Sequence, residues 1–276
     1  MLAGCILWVA DKVFVYLWQS REIMTEPFQT IAVILAGFAC GFINTLAGSG
    51  SLITLPLLIF LGLPAPVANG TNRVAIVIQN IVGVTSFKQQ KVLEIRLASK
   101  LAAPAVLGAI VGANIAVDMN AIVMERVIGV LMLAMIPVIM WKPGAWLEKQ
   151  TESADRTNSW PVMLIFFLIG VYGGFVQAGV GIFLLIGLVY AGQFDLVKGN
   201  AIKVFIILCF TIFALGVFVV NGYVDWKIGL TLAIGNGLGA MVASRLAVKR
   251  GEKFVKLVLL IAILIGAIKL LGIAFV

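Results

Sequence analysis

The sequence has no histidine, and it has only three cysteines in 276 residues. Histidine is the usual metal ligand and the usual general base near neutral pH, so its absence removes both. Cys5, Cys40 and Cys209 lie in apolar surroundings and form no CxxC pair. That argues against a metal site and against a disulfide framework. Charge is scarce too. Asp, Glu, Lys and Arg together make up 12% of the chain, where a soluble domain carries about a quarter. No carboxylate sits in the middle of a core apolar run; every Asp and Glu falls in a loop, at a helix end or in the N-terminal segment. Paired carboxylates for acid–base catalysis are therefore missing, and so is the buried carboxylate that commonly couples carriers to protons or sodium.

What is there is hydrocarbon. Hydrophobic residues make up 62% of the chain, and the mean hydropathy is +1.13. One spanning helix needs about 20 apolar residues, and apolar runs near that length fill most of the sequence. The alternation of a membrane barrel strand is absent. The fold class is all-α: a polytopic transmembrane helical bundle embedded in a lipid bilayer. The net charge of +8 fits cytoplasmic anchoring loops under the positive-inside rule; no nucleic-acid-binding motif accompanies it.

Apolar runs are expected at 28–47, 52–63, 74–87, 97–117, 121–141, 161–177, 182–191, 201–220, 228–248 and 254–276. The polar stretch 142–159 separates a first transmembrane repeat (28–141) from a second (160–276). Residues 1–27 form an apolar helix and connector with no counterpart later in the chain. Leu2 to Trp18 is apolar except for Asp11 and Lys12, with no small-residue cleavage site after it, so it reads as a retained helix rather than a signal peptide.

The two halves repeat. Gly50 and Gly181, Asn69 and Asn200, Asn72 and Lys203, Glu94 and Asp225, and Gly108-Ala109 and Gly239-Ala240 are all separated by 131 residues. Gly41-Phe42-Ile43-Asn44 matches Gly174-Phe175-Val176-Gln177 after a two-residue gap. Small residues are common in any membrane helix, which explains a glycine pair but not amide and acidic pairs at one spacing. The basic loops at 88–100, 142–159 and 249–256 are assigned to the cytoplasm, which leaves 221–227 outside. Since 221–227 is the repeat partner of the cytoplasmic loop near Glu94, the halves are expected to be inverted. The segment 161–191 must then enter and leave on one side, as a broken helix pair does.

The candidate site lies at the breaks. Asn44, Thr45, Gly48, Ser49, Gly50 and Ser51 interrupt an apolar run, and Gln177, Ala178, Gly179, Val180 and Gly181 form the second copy. Irregular backbone inside a membrane is tolerated only where protein or water covers it. Free N–H groups at a half-helix start, aided by the helix dipole, favour an anion. A glycine-rich packing motif is the plainer alternative. Asn69 and Asn72, and Asn200 and Lys203, each share a helix face at i, i+3. Arg73 and Lys203 follow the breaks, where they either snorkel to headgroups or supply charge to a substrate. Asn114, Arg245 and Lys269 read as end anchors. Gly48-x-Gly50 lacks the strand–helix context and third glycine of a dinucleotide fingerprint.

At these residues the sequence resembles the TauE/SafE sulfite-exporter family. The stretch Gly41-x-x-Asn44 to Ala47-Gly48-Ser49-Gly50-Ser51 and Pro56, with Leu107-Gly108-Ala109-x-x-Gly112-Ala113, carries the likeness. It extends over about 28–272; the second copy is looser, with Val180 and Ile182 where the first has serines. The resemblance implies a permease for a small sulfur-containing anion such as sulfite, thiosulfate or an organosulfonate, working by alternating access in the inner membrane. It implies no enzyme activity, cofactor or metal, and leaves room for a homo-oligomer. An anion channel on the same scaffold and a non-transporting membrane subunit are the competing readings.

Overall fold

A computed structural model describes residues 26–140, 157, 159–191 and 196–273. The proposed N-terminal helix and nearly all of the polar linker lie outside the described residues, as does the side chain of Lys269. Among the described residues the chain is helical, with no strand. The elements are α1 (Glu26–Ala47), α2 (Ser51–Phe60), α3 (Ala65–Gln89), α4 (Ile95–Val117), α5 (Ala121–Met140), α6 (Trp160–Phe175), α7 (Val180–Ala191), α8 (Leu196–Val220) and α9 (Trp226–Ile273). α9 leaves helical geometry at Gly251, with φ 72°, between the two apolar runs read from the sequence. Among the described residues four helical segments are long and apolar enough to cross a membrane: Thr30–Ala47, Ile95–Val117, Leu196–Val220 and Trp226–Gly251. Their outward faces carry bare apolar side chains such as Leu35, Leu107, Phe213 and Leu238, as a lipid-facing surface requires.

Each half opens with a helical hairpin. α2 folds back along α1, where the Cys40 thiol approaches Thr54 Oγ1 at 3.8 Å. α7 folds back along α6, where Tyr172 and Phe183 meet edge to face at 5.1 Å. The hairpin tips are the glycine-rich breaks, and they meet: the backbone of Gly48 lies directly against that of Gly181. Neither position has room for a Cβ. Gly48 also needs a left-handed φ of 76°, which only glycine adopts without a steric penalty.

Four pairs of glycines spaced by four residues bring backbones together. Gly37 and Gly41 of α1 pack on α9, whose Gly235 and Gly239 pack back on α1; Gly108 and Gly112 of α4 and Gly170 and Gly174 of α6 do the same. This is the small-residue contact by which membrane helices approach closely. In both pairs the contacts advance in the same direction along both chains, so the helices are parallel. α3 and α8 instead run antiparallel: Gly70 touches Phe218, and Gly83 touches Val204.

The packing also corrects the repeat register. The Ala105 carbonyl lies over Gly170 and the Asn236 carbonyl over Gly41. Gly41 is thus equivalent to Gly170, not to Gly174. Of the left-handed residues in the second break, Gln177 stands at this shorter spacing of 129 residues from Gly48 and Gly179 at 131. Two extra residues in α7, which has 12 against the 10 of α2, restore the spacing of 131 beyond it.

A second difference concerns helix starts. The apolar runs suggested starts near 74 and 201, but α3 begins at Ala65 and α8 at Leu196. Pro66 at a first-turn position suits a helix start. The polar residues that follow in α3, from Asn69 to Arg73, are buried inside the bundle.

Candidate functional site

A helix leaves its last four carbonyls without partners inside the helix. α1 and α6 both end at the hairpin tips, among buried residues. The structure serves them with two cations, each reaching across from the other half of the chain. Arg73, on α3, donates from Nη1 to Gly173 O at 3.1 Å and from Nη2 to Gly174 O at 2.5 Å and Phe175 O at 3.4 Å. Asn69 adds Nδ2 to Phe175 O at 2.7 Å, and the Val176 N–H closes on Tyr172 O. All four terminal carbonyls of α6 are thereby paired. On the other side, Lys203 of α8 donates to Thr45 O at 2.9 Å and Asn44 O at 3.3 Å. These are the equivalents of Gly174 and Gly173 in the corrected register.

Both cations are fully buried, so neither snorkels. Neither pairs with a carboxylate among the described residues, where the ion pair found is Lys198 with Glu94 at 2.7 Å. Their remaining donors go to neutral oxygens: Lys203 to Asn200 Oδ1 at 2.6 Å, and Arg73 to Gln177 Oε1 at 3.3 Å and Asn69 Oδ1 at 3.4 Å. The Arg73 guanidinium also lies 4.6 Å from the Phe218 ring centroid, a cation–π contact worth about 0.5–2 kcal/mol. A cation at a helix C-terminus is favoured by the dipole, which carries about half a negative charge there.

The break residues divide by role. Gly48, Ser49, Gly50, Ser51, Gly179 and Gly181 are buried at the tips, at the starts of α2 and α7. Asn44 and Gln177, expected as donors to an anion, already donate within the protein: Asn44 Nδ2 to Gln79 Oε1 at 3.2 Å, and Gln177 Nε2 to Thr211 Oγ1 at 2.8 Å. Gln177 holds a left-handed φ of 65°, and its amide is fixed at both ends by Arg73 and Thr211. Thr54 donates to Asn72 Oδ1 at 2.7 Å. Among the described residues three N–H groups are buried without a partner, Asn72 Nδ2, Asn200 Nδ2 and Arg73 Nε, as are the amide oxygens Asn80 Oδ1 and Asn236 Oδ1. Thr45 Oγ1 is also unpartnered. Asn114 and Arg245 are exposed.

Gln79, Asn80, Thr54, Thr211 and Asn236 belong to this buried polar layer and were not singled out in the sequence. Asn236 Nδ2 donates to Gln79 Oε1 at 3.3 Å. The signal was available, because Gln79 and Asn80 interrupt an apolar run, where polar groups are costly and therefore informative. Asn80 and Thr211 also lie 131 residues apart.

The family model described as "Sulfite exporter TauE/SafE" matches residues 33–270. The "Probable membrane transporter protein ORF9" of Sinorhizobium sp is 30% identical over 241 residues, covering 87% of this chain and 91% of that protein. "Probable membrane transporter protein YfcA" of Escherichia coli (strain K12) is 26% identical, covering 90% and 91%. "Probable membrane transporter protein YjnA" of Bacillus subtilis (strain 168) is 26% identical, covering 88% and 100%. No solved structure matches.

Proposed function

Because this chain belongs to the TauE/SafE sulfite exporter family, a family whose relatives are named as membrane transporters, we propose that it carries a small sulfur-containing oxyanion across the inner membrane by alternating access. One observation carries the reading: two fully buried cations, without carboxylate partners among the described residues, stand at the meeting point of two broken hairpins. The dipole ends gathered there cancel in pairs, since two C-termini at about −0.5 charge face two N-termini at about +0.5. The Arg73 and Lys203 charges remain. A guest with one or two negative charges neutralises them, and the unpartnered N–H groups of Asn72, Asn200 and Arg73 are the donors an oxyanion lacks in hydrocarbon. The N-terminal ends of α2 and α7, with Ser49, Ser51 and Gly179 to Gly181, complete the set.

The antiparallel course of α3 and α8, equivalent helices of the two repeats, supports an inverted arrangement of the halves, a plan recurrent in carriers with substrate at the broken helices. The contact of Gly48 with Gly181 favours a carrier over an open channel, because the two tips close on each other. Purified protein in proteoliposomes is expected to take up sulfite, thiosulfate or an organosulfonate saturably, with counterflow between them. Ser51→Ala and Asn72→Ala should lower that flux while the protein stays folded. Wild-type flux in both variants removes the tips from the pathway; large single-channel currents favour the channel.

A further inference from the structure

The tightest packing does not respect the sequence halves. α4, from the first half, packs mainly on α6 and α8 of the second, and α9, from the second half, packs mainly on α1 and α3 of the first. Two of the hydrophobic cores lie mainly within this division, with Ile76 of α3 joining the first from across it. One joins Leu101, Ala105 and Ala109 of α4 to Phe166 of α6 and to Ile206 and Phe210 of α8. The other joins Val33, Leu58 and Ala75 of the first half to Leu232 and Ala233 of α9.

The crossover loops are built for this exchange. Lys91 (φ 58°) and Gly222 (φ 73°) are left-handed residues at equivalent places, just before the exchanged helices. Each loop is then fastened to the bundle its helix is about to join. Glu94, before α4, pairs with Lys198 of α8 at 2.7 Å. Asp225, before α9, donates its backbone N–H to Thr71 Oγ1 of α3 at 2.9 Å. The bundles meet at the tip contact of Gly48 with Gly181, at the α3–α8 contact of Gly83 with Val204, and in the crossed donations of Arg73 and Lys203 to the ends of α6 and α1. Two further apolar cores also cross between them, one joining Leu55 of α2 to Ala113 of α4 and Phe218 of α8, the other joining Leu46 of α1 and Phe87 of α3 to Val204 of α8.

From this we infer that the bodies that move against each other during transport are exchanged bundles, not the two sequence halves. One comprises α1, α2, α3 and the part of α9 before Gly251; the other comprises α4, α6, α7 and α8. The Arg73 and Lys203 clasps join them, so a guest anion that draws either cation from its carbonyls loosens the joint at the site it occupies. This rests on the transport reading and adds the identity of the moving parts.

Two engineered disulfides separate the alternatives. Ser86 Oγ and Ser244 Oγ are 2.7 Å apart; they belong to different halves but to one exchanged bundle. A Cβ at Gly83 would contact Val204 Cγ1, so Gly83→Cys with Val204→Cys bridges the two bundles within disulfide reach. Thiosulfate flux is measured after oxidation and again after reduction, with wild type as control for the native cysteines. Oxidised Ser86→Cys/Ser244→Cys should transport within twofold of its reduced form. Oxidised Gly83→Cys/Val204→Cys should lose at least nine-tenths of its flux and regain it on reduction. Loss of flux in the first pair, or persistence in the second after oxidation, overturns the inference.

A wild type without flux counts against the transport reading instead. Spin-label distances, with and without thiosulfate, still test the moving parts if that happens or if a double variant fails to fold. Phe60–Leu230 and Ile95–Trp160 should hold fixed distances, and Phe60–Ile95 and Leu230–Trp160 should change; all four residues are exposed. The reverse pattern, or no change in any pair, overturns the inference.

Discussion

Replacing Lys203 by glutamine separates the charge of the site from its scaffolding role. The Lys203 ammonium serves three acceptors, Asn44 O, Thr45 O and Asn200 Oδ1. Asn44 O keeps a partner without it, because the Gly48 N–H also bonds there at 2.9 Å. Two acceptors, Thr45 O and Asn200 Oδ1, thus stand to lose their donor, at about 1–3 kcal/mol each if left unserved. Against that, the variant no longer holds a charge in the membrane interior, which costs about 2.5–3.5 kcal/mol on insertion scales. The glutamine amide also returns a donor. These effects nearly cancel, and the net change in stability should stay within about 2 kcal/mol. Anion affinity should not survive so well. A unit charge about 5 Å from the guest, at an effective dielectric of about 20, contributes about 3 kcal/mol, or about a hundredfold in the dissociation constant. Half-saturation for thiosulfate uptake in proteoliposomes should rise by about that factor in Lys203→Gln and by much less in Lys203→Arg, which keeps the charge. A well-folded Lys203→Gln protein with wild-type half-saturation would refute the reasoning.

Gly48→Ala and Gly181→Ala should each abolish flux and lower the melting temperature in detergent. The added methyl meets the opposing backbone, and at Gly48 the left-handed backbone adds about 1 kcal/mol or more; full activity in either would show that the tips do not touch. Thr211→Val removes the acceptor that orients Gln177. It should cost about 1 kcal/mol of stability and reduce flux, and unaltered flux would mean that the Gln177 amide needs no such support. Glu94→Gln breaks an exposed ion pair whose partners are 37% and 51% accessible. Such pairs are worth about 0–1 kcal/mol, so its melting temperature should move little, and a large drop would show that the crossover loop carries more of the fold than its exposure implies.

Much of this architecture is legible in the sequence, for a physical reason. Lipid forbids unpaired polar groups, so the membrane helices declare themselves, and so does Gly48 to Ser51, where glycine and hydroxyl residues interrupt an apolar run. The starts of α3 and α8 are harder to see. Ala65 to Arg73 is too polar to read as an apolar run, yet it is helical because its polar face is buried against other helices. The partners of Arg73 could not be read at all. Gly173 and Gly174 are about a hundred residues away along the chain, and what Arg73 binds there is backbone, which leaves no mark in side-chain identity. The register error has a similar origin, since two residues added within the uniformly apolar α7 change the spacing without changing the pattern.

The location of the guest anion tests the central claim most directly. Selenite, the selenium counterpart of sulfite, can be placed in crystals of the wild-type protein by its anomalous scattering. The account predicts an ordered peak at the hairpin tips, within hydrogen-bond distance of Asn72 Nδ2, Asn200 Nδ2 or Arg73 Nε, and its loss in an Arg73→Gln/Lys203→Gln protein. Ordered selenite found solely at the basic surface loops, with none at the tips at saturating concentration, would contradict it.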